Sequence, residues 1–449
     1  MLSRMDSSTP RGPWLPILPE TAAAQALDEI AAALAPLTDA DHEAKARPQS
    51  LADGPAGKAL FFHYLDQARP GQGHDELAVA HLEAAIAATG EAFTAPGLYG
   101  GFSGTAWVLE HLTGRLLEPS ASGEDDPGEE VAAALAAYLG RSPWLDDYDL
   151  ISGLVGLGVW AIERAPRSLG EEAAGSVARR LGELAERRDD GITWRTPPER
   201  MLASEAAKYP LGVYNLGVAH GVPGVIGILG EMVATGLAAG EARELLDGAV
   251  EWLLRQTLPA GSPSRFAYSV TPPAPLAPLA PEIETPTPSR LAWCYGDPGI
   301  ATALLAAARA AGEPEWERQA IATAKAAAAR PRDTGGVVDG GLCHGAAGLA
   351  HLYNRLFQAT GDPQLEAEAL AWFDRLLALR RPGEGIAGWQ AWRPIGDLTA
   401  PEPELGWVTD AGLLTGVTGI GLALLGALSP VEPAWDRVLL ASVPPRPRP

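Results

Sequence analysis

The sequence has little of what stabilises or targets a secreted protein. Only two of its 449 residues are cysteine, which excludes a disulfide scaffold and suggests a reducing compartment. Its first residues, MLSRMDSSTPRGPWLP, lack the apolar segment of a secretion signal. It has no uninterrupted run of about 18 apolar residues, so no transmembrane helix is expected. We therefore expect a soluble, cytoplasmic protein, at most peripheral to a membrane-associated complex.

Basic residues are scarce as well. The chain has 34 Lys and Arg against 56 Asp and Glu, which gives a formal net charge of -22 at pH 7. Because nucleic-acid-binding proteins need a basic surface to neutralise phosphates, a nucleic-acid partner is not expected. Alanine is abundant and runs of β-branched residues are short, which argues against a β-rich fold. Hydrophobic residues still make up 47% of the chain, enough for a large core.

A Gly-x-x-Gly step followed by an apolar segment occurs seven times, and more polar segments alternate with these steps. A helix that is apolar on every face is buried, whereas one with a charged side lies at the surface. Glycine allows unusual backbone angles and close packing where such a helix begins. The sequence therefore predicts an all-α fold, an α/α toroid that is a double-layered barrel of seven inner and seven outer helices. The first glycines are Gly54, Gly101, Gly153, Gly221, Gly296, Gly345 and Gly416, and the polar segments span 22–36, 75–89, 129–139, 170–187, 240–256, 314–330 and 363–380.

The toroid is expected to be a single catalytic domain spanning residues 21–442, with flexible ends at 1–20 and 443–449. The long gaps between glycine steps hold irregular inserts, at about 188–215, 259–289 and 381–411. The second insert contains nine prolines and the third contains three tryptophans. Because long ordered loops are often functional, we expect all three inserts around one mouth of the ring.

Alignment of the repeats on their first glycines places both cysteines at the same position. The two residues before each glycine should face one opening, so Cys294, Cys343 and His344 converge from adjacent repeats. Such a set is typical of a Zn²⁺ site, and the lack of an evident fourth ligand favours a catalytic zinc with an open position. Two thiolates favour activation of a thiol over water. The alternative is two buried structural cysteines and a core histidine. The residues immediately before the glycines are Asp53, Gly100, Ser152, His220, Tyr295, His344 and Thr415, and those one position earlier are Ala52, Tyr99, Ile151, Ala219, Cys294, Cys343 and Leu414.

Four further residues near this opening are candidates for catalysis. His220 shares the position of His344 and is a candidate acid–base group, although a lone histidine is more often structural. Asp149 could orient a base or a substrate amide, or it could cap a helix. Arg290 could stabilise an enolate oxygen, and Tyr295 could donate a proton. The histidines within helical segments are expected to be structural: His63, His81, His111 and His351.

Four strings resemble the lanthionine synthetase C family, the cyclases of lanthipeptide biosynthesis: YDLISGLVG (148–156), YNLGVAHGVPG (214–224), AWCYGDPG (292–299) and LCHGAAGLAH (342–351). The resemblance extends over all seven repeats and implies a toroid around a zinc ion. Two sets of residues carry over from it: Cys294, Cys343 and His344 match the zinc ligands, and His220, Asp149, Arg290 and Tyr295 match positions implicated in acid–base chemistry.

The resemblance also implies a reaction and its partners. Family members add a peptide cysteine thiolate to dehydroalanine or dehydrobutyrine by Michael addition, which closes a thioether ring. This chain resembles the stand-alone cyclases, so a separate dehydratase would dehydrate the precursor peptide, and an exporter would belong to the same modification complex. Asp297 departs from the family, because some members have a basic residue there, and this would change the local potential.

The residues also allow two other functions. Eukaryotic relatives add glutathione to dehydroamino acids, but they typically have histidine where this chain has Tyr295. A non-enzymatic zinc scaffold of a modification complex would not require the four candidate catalytic residues. The sequence therefore favours the cyclase.

Overall fold

The computed structural model describes residues 12–19, 22–37, 49–91, 95–118, 126–273, 286–396 and 403–447. Most of the predicted N-terminal segment and parts of the second and third inserts lie outside the described residues. Along the described chain the α-helices are α1 (Ala22–Leu34), α2 (Pro55–Ala68), α3 (His74–Glu91), α4 (Phe102–Leu112), α5 (Glu129–Leu139), α6 (Leu154–Arg164), α7 (Gly170–Leu184), α8 (Ala203–Lys208), α9 (Val222–Thr235), α10 (Ala239–Arg255), α11 (Asp297–Ala311), α12 (Pro314–Ala328), α13 (Ala346–Thr360), α14 (Pro363–Ala378) and α15 (Val417–Leu428).

The helices form two concentric layers. Each inner helix begins directly after one of the first glycines and packs on the next inner helix, and the last packs on the first, so the inner ring is closed. This arrangement confirms the predicted α/α toroid. None of the described helices is long and apolar enough to cross a membrane. The inner helices are α2, α4, α6, α9, α11, α13 and α15, and the outer helices packed against them are α1, α3, α5, α7, α10, α12 and α14.

A closed series of backbone hydrogen bonds, here called the backbone girdle, links the loops that lead into the inner helices. Cys294 N donates to Cys343 O at 3.2 Å, and Leu413 N donates to Ala52 O at 2.6 Å, which joins the last repeat to the first. The remaining bonds run from Ala52 to Tyr99, from Tyr99 to Ile151, from Leu150 to Ala219, from Ala219 to Cys294 and from Cys343 to Leu414. Residues that occupy the same position in the sequence alignment therefore lie side by side on one rim.

Close packing explains the second glycine of each step. A Cβ atom on Gly299 would lie 2.1 Å from Trp293 O, and one on Gly348 would lie 1.9 Å from Leu342 O. The first glycines have extended backbones, as at Gly221 (φ -140°), which any residue can adopt. The expectation of unusual backbone angles is therefore wrong, and the glycines instead allow the loop to approach its helix.

Each insert joins the end of an outer helix to the start of the next inner helix, so the described parts of all three lie at the end of the ring that carries the glycine steps. Their described parts contain short antiparallel strand pairs. Asn215 lies opposite Ser269, which connects the first insert to the second, and Trp392 lies opposite Trp407 within the third. The pairs are β1 (Glu186–Arg188) with β2 (Gly191–Thr193), β3 (Tyr214–Asn215) with β4 (Ser269–Val270), and β5 (Ala391–Pro394) with β6 (Leu405–Val408).

A 3₁₀ helix at Ala434–Leu439 lies inside the ring and is here called the C-terminal plug. Val438 O accepts a hydrogen bond from Tyr99 Oη at 2.7 Å, and Leu439 O accepts one from Trp293 Nε1 at 2.8 Å. Tyr99 and Trp293 precede inner helices of the second and fifth repeats. The plug therefore crosses the interior of the ring, behind the loops that carry the candidate site.

The described parts of the two predicted flexible ends contact the ring. Trp14 is buried, and its Nε1 donates to Gly426 O at 2.7 Å. Gly12 N donates to Pro445 O at 3.2 Å, and Val443 is fully buried. The two ends thus lie against each other, and the N-terminal segment also lies against the last inner helix.

Candidate metal centre and catalytic residues

The residues immediately before the seven first glycines share one mouth. All seven are accessible to solvent, whereas the glycines that follow them are buried. The backbone girdle holds these residues at one level around the ring axis. The sequence alignment of the repeats therefore corresponds to a shared opening in the structure.

Cys294, Cys343 and His344 come together at this mouth and could hold a metal ion. One ligand atom from each lies within 4.8 Å of the others. His344 Nδ1 is buried and has no hydrogen-bond partner within the described chain, whereas Nε2 lies 4.0 Å from Asp339 Oδ2. Nδ1 is thus available as a ligand atom. Two sulfurs and one imidazole nitrogen fit Zn²⁺ and leave one tetrahedral position for a further ligand.

Neighbouring groups favour the thiolate form of Cys294. The hydrogen bond from Cys343 holds the pKa of the Cys294 thiol well below its usual range, and His344 and Arg290 act in the same direction against the effect of burial. Arg290 Nη2 donates to Cys294 Sγ at 3.5 Å. The site therefore already stabilises negative charge on the sulfur that is predicted to bind metal.

His220 and Asp149 form a hydrogen-bonded pair beside this cluster, from His220 Nδ1 to Asp149 Oδ2. Asp149 Oδ1 also accepts from the backbone N–H groups of Ser152 at 2.8 Å and Gly153 at 3.1 Å. Asp149 therefore contacts the candidate base His220, whereas its contacts to Ser152 and Gly153 close the loop before α6 and do not cap the helix, whose N-cap residue is Gly153. Burial lowers the pKa of His220, but the hydrogen bond and charge of Asp149 outweigh burial, so the pKa is raised. The His220 side chain is 43% exposed, so a substrate in the mouth can reach it.

Tyr295 directly follows Cys294 in the chain and contacts the acid–base pair. Its ring stacks on His220 with centroids 6.1 Å apart, and it contacts Tyr268 at 5.7 Å. Its hydroxyl oxygen accepts a hydrogen bond from Asn215 Nδ2 at 2.9 Å. Burial raises the pKa of the Tyr295 phenol, so it keeps its proton at neutral pH. All seven sequence-predicted site residues therefore lie at one end of the ring.

Sequence reasoning missed three polar residues six positions before a first glycine: Asn215, Asp339 and Asp410. Each uses Oδ1 to accept the backbone N–H of the glycine two residues later, at 2.8, 3.1 and 2.7 Å respectively. The remaining side-chain atoms point to neighbours in the mouth. The signal in the sequence was the repeated Asx-x-Gly pattern, which is typical of a turn closed by a side chain.

Two other predictions concern residues away from the mouth. The four helical histidines are buried within the helical layers, which agrees with a structural role. Asp297 is also buried, and its carboxylate accepts the backbone N–H groups of Arg265 at 2.7 Å and Phe266 at 3.1 Å. These two hydrogen bonds from the second insert to Asp297 hold the insert against the start of α11.

Comparison with known proteins agrees with this geometry. The family model described as lanthionine synthetase C-like protein matches residues 45–440. A solved structure titled "Nisin cyclase" superposes with a TM-score of 0.69 at 18% sequence identity, covering 94% of this chain and 98% of that chain, which shows a shared fold. No curated protein matches the sequence. Since the family model spans most of the chain, this protein belongs to the lanthionine synthetase C-like family.

Proposed function

We propose that this protein is a zinc-dependent lanthipeptide cyclase. The proposal rests on one observation: two cysteines and a histidine lie beside the His220–Asp149 pair in a single mouth. Family membership supports it. The substrate is a precursor peptide in which a separate dehydratase has converted Ser and Thr to dehydroalanine and dehydrobutyrine. We place this reaction in the cytoplasm.

The proposed metal ligands are Cys294, Cys343 and His344. A zinc ion bound there would lower the pKa of a substrate cysteine thiol and keep the thiolate nucleophilic. Two thiolates and a neutral imidazole balance the charge of Zn²⁺, so this ligand set suits a thiol better than water. The contact from Arg290 to Cys294 Sγ keeps that sulfur anionic.

The addition requires one proton to leave and one to return. The thiol loses its proton, the S–Cβ bond forms, and the Cα=Cβ electron pair moves towards the carbonyl group. The resulting enolate is protonated at Cα, so no atom is gained or lost. His220 carries the proton in this scheme, and Asp149 fixes its tautomer and orientation. A positioned acid–base group of this kind contributes about 10²–10⁴-fold to the rate.

The enolate oxygen also needs hydrogen-bond donors. Arg290 Nε is buried and has no partner within the described residues, although Nη2 contacts Cys294. Tyr295, which directly follows Cys294 in the chain, offers a second donor, its hydroxyl group. We assign these two groups to the developing negative charge on the carbonyl oxygen.

The test uses purified protein and a dehydrated precursor peptide. Alkylation counts the remaining free thiols, because ring closure leaves the mass unchanged. We expect the wild type to consume thiols faster than an enzyme-free control. His220→Ala should be at least about 100-fold slower with unchanged zinc content and melting temperature. His74→Ala, on the outer helix α3, is the matched control and should retain the wild-type rate.

Two results would contradict the proposal. Thiol loss at the enzyme-free rate with the wild type would exclude cyclase activity on that peptide. Efficient addition of free glutathione to the dehydro residues, without loss of peptide thiols, would support the glutathione-adding function instead.

A further inference from the structure

The side-chain amide of Asn215 has a fixed orientation. Its Oδ1 accepts the backbone N–H of Gly217 at 2.8 Å, and a backbone N–H can only donate. The amino group must therefore point the other way, where Nδ2 donates to Tyr295 Oη at 2.9 Å. Asn215 is 9% exposed, so water competes little for either contact.

Two later repeats show what the amide adds. Asp339 and Asp410 occupy the corresponding positions and close the same turn with a carboxylate oxygen. The turn thus requires an acceptor, which Asp and Asn both supply. Asn215 differs from the two aspartates by its amino group, and this group is the one that contacts Tyr295.

The surroundings fix the ring of Tyr295 as well. A Cβ atom on Gly217 would lie 2.7 Å from Tyr295 Cδ1, so the glycine allows the ring to pack directly on the turn. The preceding residue, Leu216, donates its backbone N–H to Tyr268 O at 3.0 Å, which anchors the turn to the second insert. With the ring held, rotation of the phenolic O–H is the freedom that remains.

We propose that Asn215 is a positioning residue that sets the direction of the Tyr295 O–H. A phenol has one hydrogen and accepts through its oxygen lone pairs. Because Nδ2 occupies the acceptor side of the oxygen, the hydrogen points to another acceptor in the mouth. In the proposed reaction, on which this inference rests, that acceptor is the carbonyl oxygen of the dehydro residue.

The decisive substitution is Asn215→Asp, which keeps the turn-closing oxygen and replaces the amino group with an acceptor. The phenolic hydrogen would then turn towards the new carboxylate and away from the substrate. We expect kcat to fall by about 100-fold with little change in KM. Asn215→Ala should lose less activity, because the phenol can still rotate to donate. A purely structural role predicts the opposite order, since alanine removes the turn contact.

Combination with Tyr295→Phe separates hydrogen-bond direction from added charge. In that background, replacing Asn215 by Asp should change the rate little, because there is no hydroxyl left to redirect. Asp410→Asn makes the reverse exchange in the last repeat and controls for the effect on melting temperature and zinc content.

An Asn215→Asp variant as active as the wild type would overturn the inference. So would an equal loss in the Tyr295→Phe background, because added charge would then explain it. If Tyr295→Phe reacts only at the enzyme-free rate, the double variant is uninformative. The relative rates of Asn215→Asp and Asn215→Ala then decide between the positioning role and a purely structural role. A wild type that forms no thioether would instead contradict the proposed function.

Discussion

Cys343 is a residue at which metal binding can be tested directly, because its sulfur is one of three potential ligand atoms that lie within 4.8 Å of one another. We expect about one zinc per chain in the wild type and none in Cys343→Ala. The fold should persist, because the core of the toroid does not depend on one ion. Metal analysis and melting temperature are the measurements. Thr415→Ala, which changes the equivalent position to His344 in the next repeat, should keep its zinc. Full zinc in Cys343→Ala would contradict the ligand assignment.

Asp149 controls the protonation of His220. Burial alone would lower the pKa of His220, and Asp149 raises it. In Asp149→Asn the effect of burial remains and the largest opposing effect is lost, so the pKa of His220 should fall relative to the wild type. If His220⁺ supplies the proton to Cα, the rate declines as pH rises through this pKa. The decline should therefore begin at a lower pH in Asp149→Asn. NMR titration of the His220 ring should show the same direction, and an unchanged titration would refute the coupling.

At the scale of the element, each glycine step joins a loop to the start of an inner helix. Gly348→Ala would place a Cβ atom 1.9 Å from Leu342 O, and Leu342 directly precedes Cys343. We expect a loss of about 1–3 kcal/mol in the free energy of unfolding, together with reduced zinc content. Denaturant unfolding and metal analysis check this expectation.

Gly175→Ala is the matched control. A Cβ atom on Gly175, in the outer helix α7, would meet nothing within 4 Å. Alanine should therefore stabilise that helix by about 0.5–1 kcal/mol. Equal effects of the two substitutions would show that close packing is not the reason for glycine in the step.

The repeat pattern made much of the fold and site predictable. The inner helices begin where the glycines are, and the alignment that placed Cys294 beside Cys343 corresponds to a hydrogen bond of the backbone girdle. Because the repeats are related by the symmetry of the ring, equivalent residues of adjacent repeats lie next to each other on the rim. The proximity of Cys294 and Cys343 could therefore be inferred without coordinates. Helix ends agree less closely, as for α7, predicted at 170–187 and observed at Gly170–Leu184.

Features outside the repeat were not predictable in this way. Asn215 lies in an irregular loop, and its contact with Tyr295 spans 80 residues of sequence. The C-terminal plug has no periodic apolar pattern, so nothing in the sequence indicated that it fills the ring. Asp149 was expected to orient a base, but the hydrogen bond that it makes to His220 depends on side-chain geometry, which the alignment of the repeats does not fix.

At the scale of the whole molecule, buried histidines make the fold sensitive to acid. His63 of α2 is buried, and burial, with smaller effects of His111 and Arg115, lowers its pKa from 6.5 to about 4. Between these values the unfolded chain binds the proton and the folded chain does not. Stability is therefore complete above pH 6.5 and falls as pH drops towards about 4, by about 3 kcal/mol from this residue.

Comparison with His63→Gln isolates this contribution. The variant cannot take up that proton, so its unfolding free energy should decline less than that of the wild type between about pH 7 and about pH 4. Its absolute stability at neutral pH is not the readout, because glutamine also changes the packing. Parallel pH dependence of the two proteins would show that His63 does not carry the effect.

The closed backbone girdle has a consequence for biosynthesis. In a linear repeat protein, removal of a terminal repeat shortens the array and leaves the rest folded. Here Leu413 N donates a hydrogen bond to Ala52 O, and α15 packs on both α1 and α2. The last repeat therefore covers the apolar faces of the first. The first helices to leave the ribosome must wait for the last ones before their apolar faces are covered. A chain that stops one repeat early is therefore an open arc with an exposed apolar edge, a substrate for chaperones and proteases instead of a smaller enzyme.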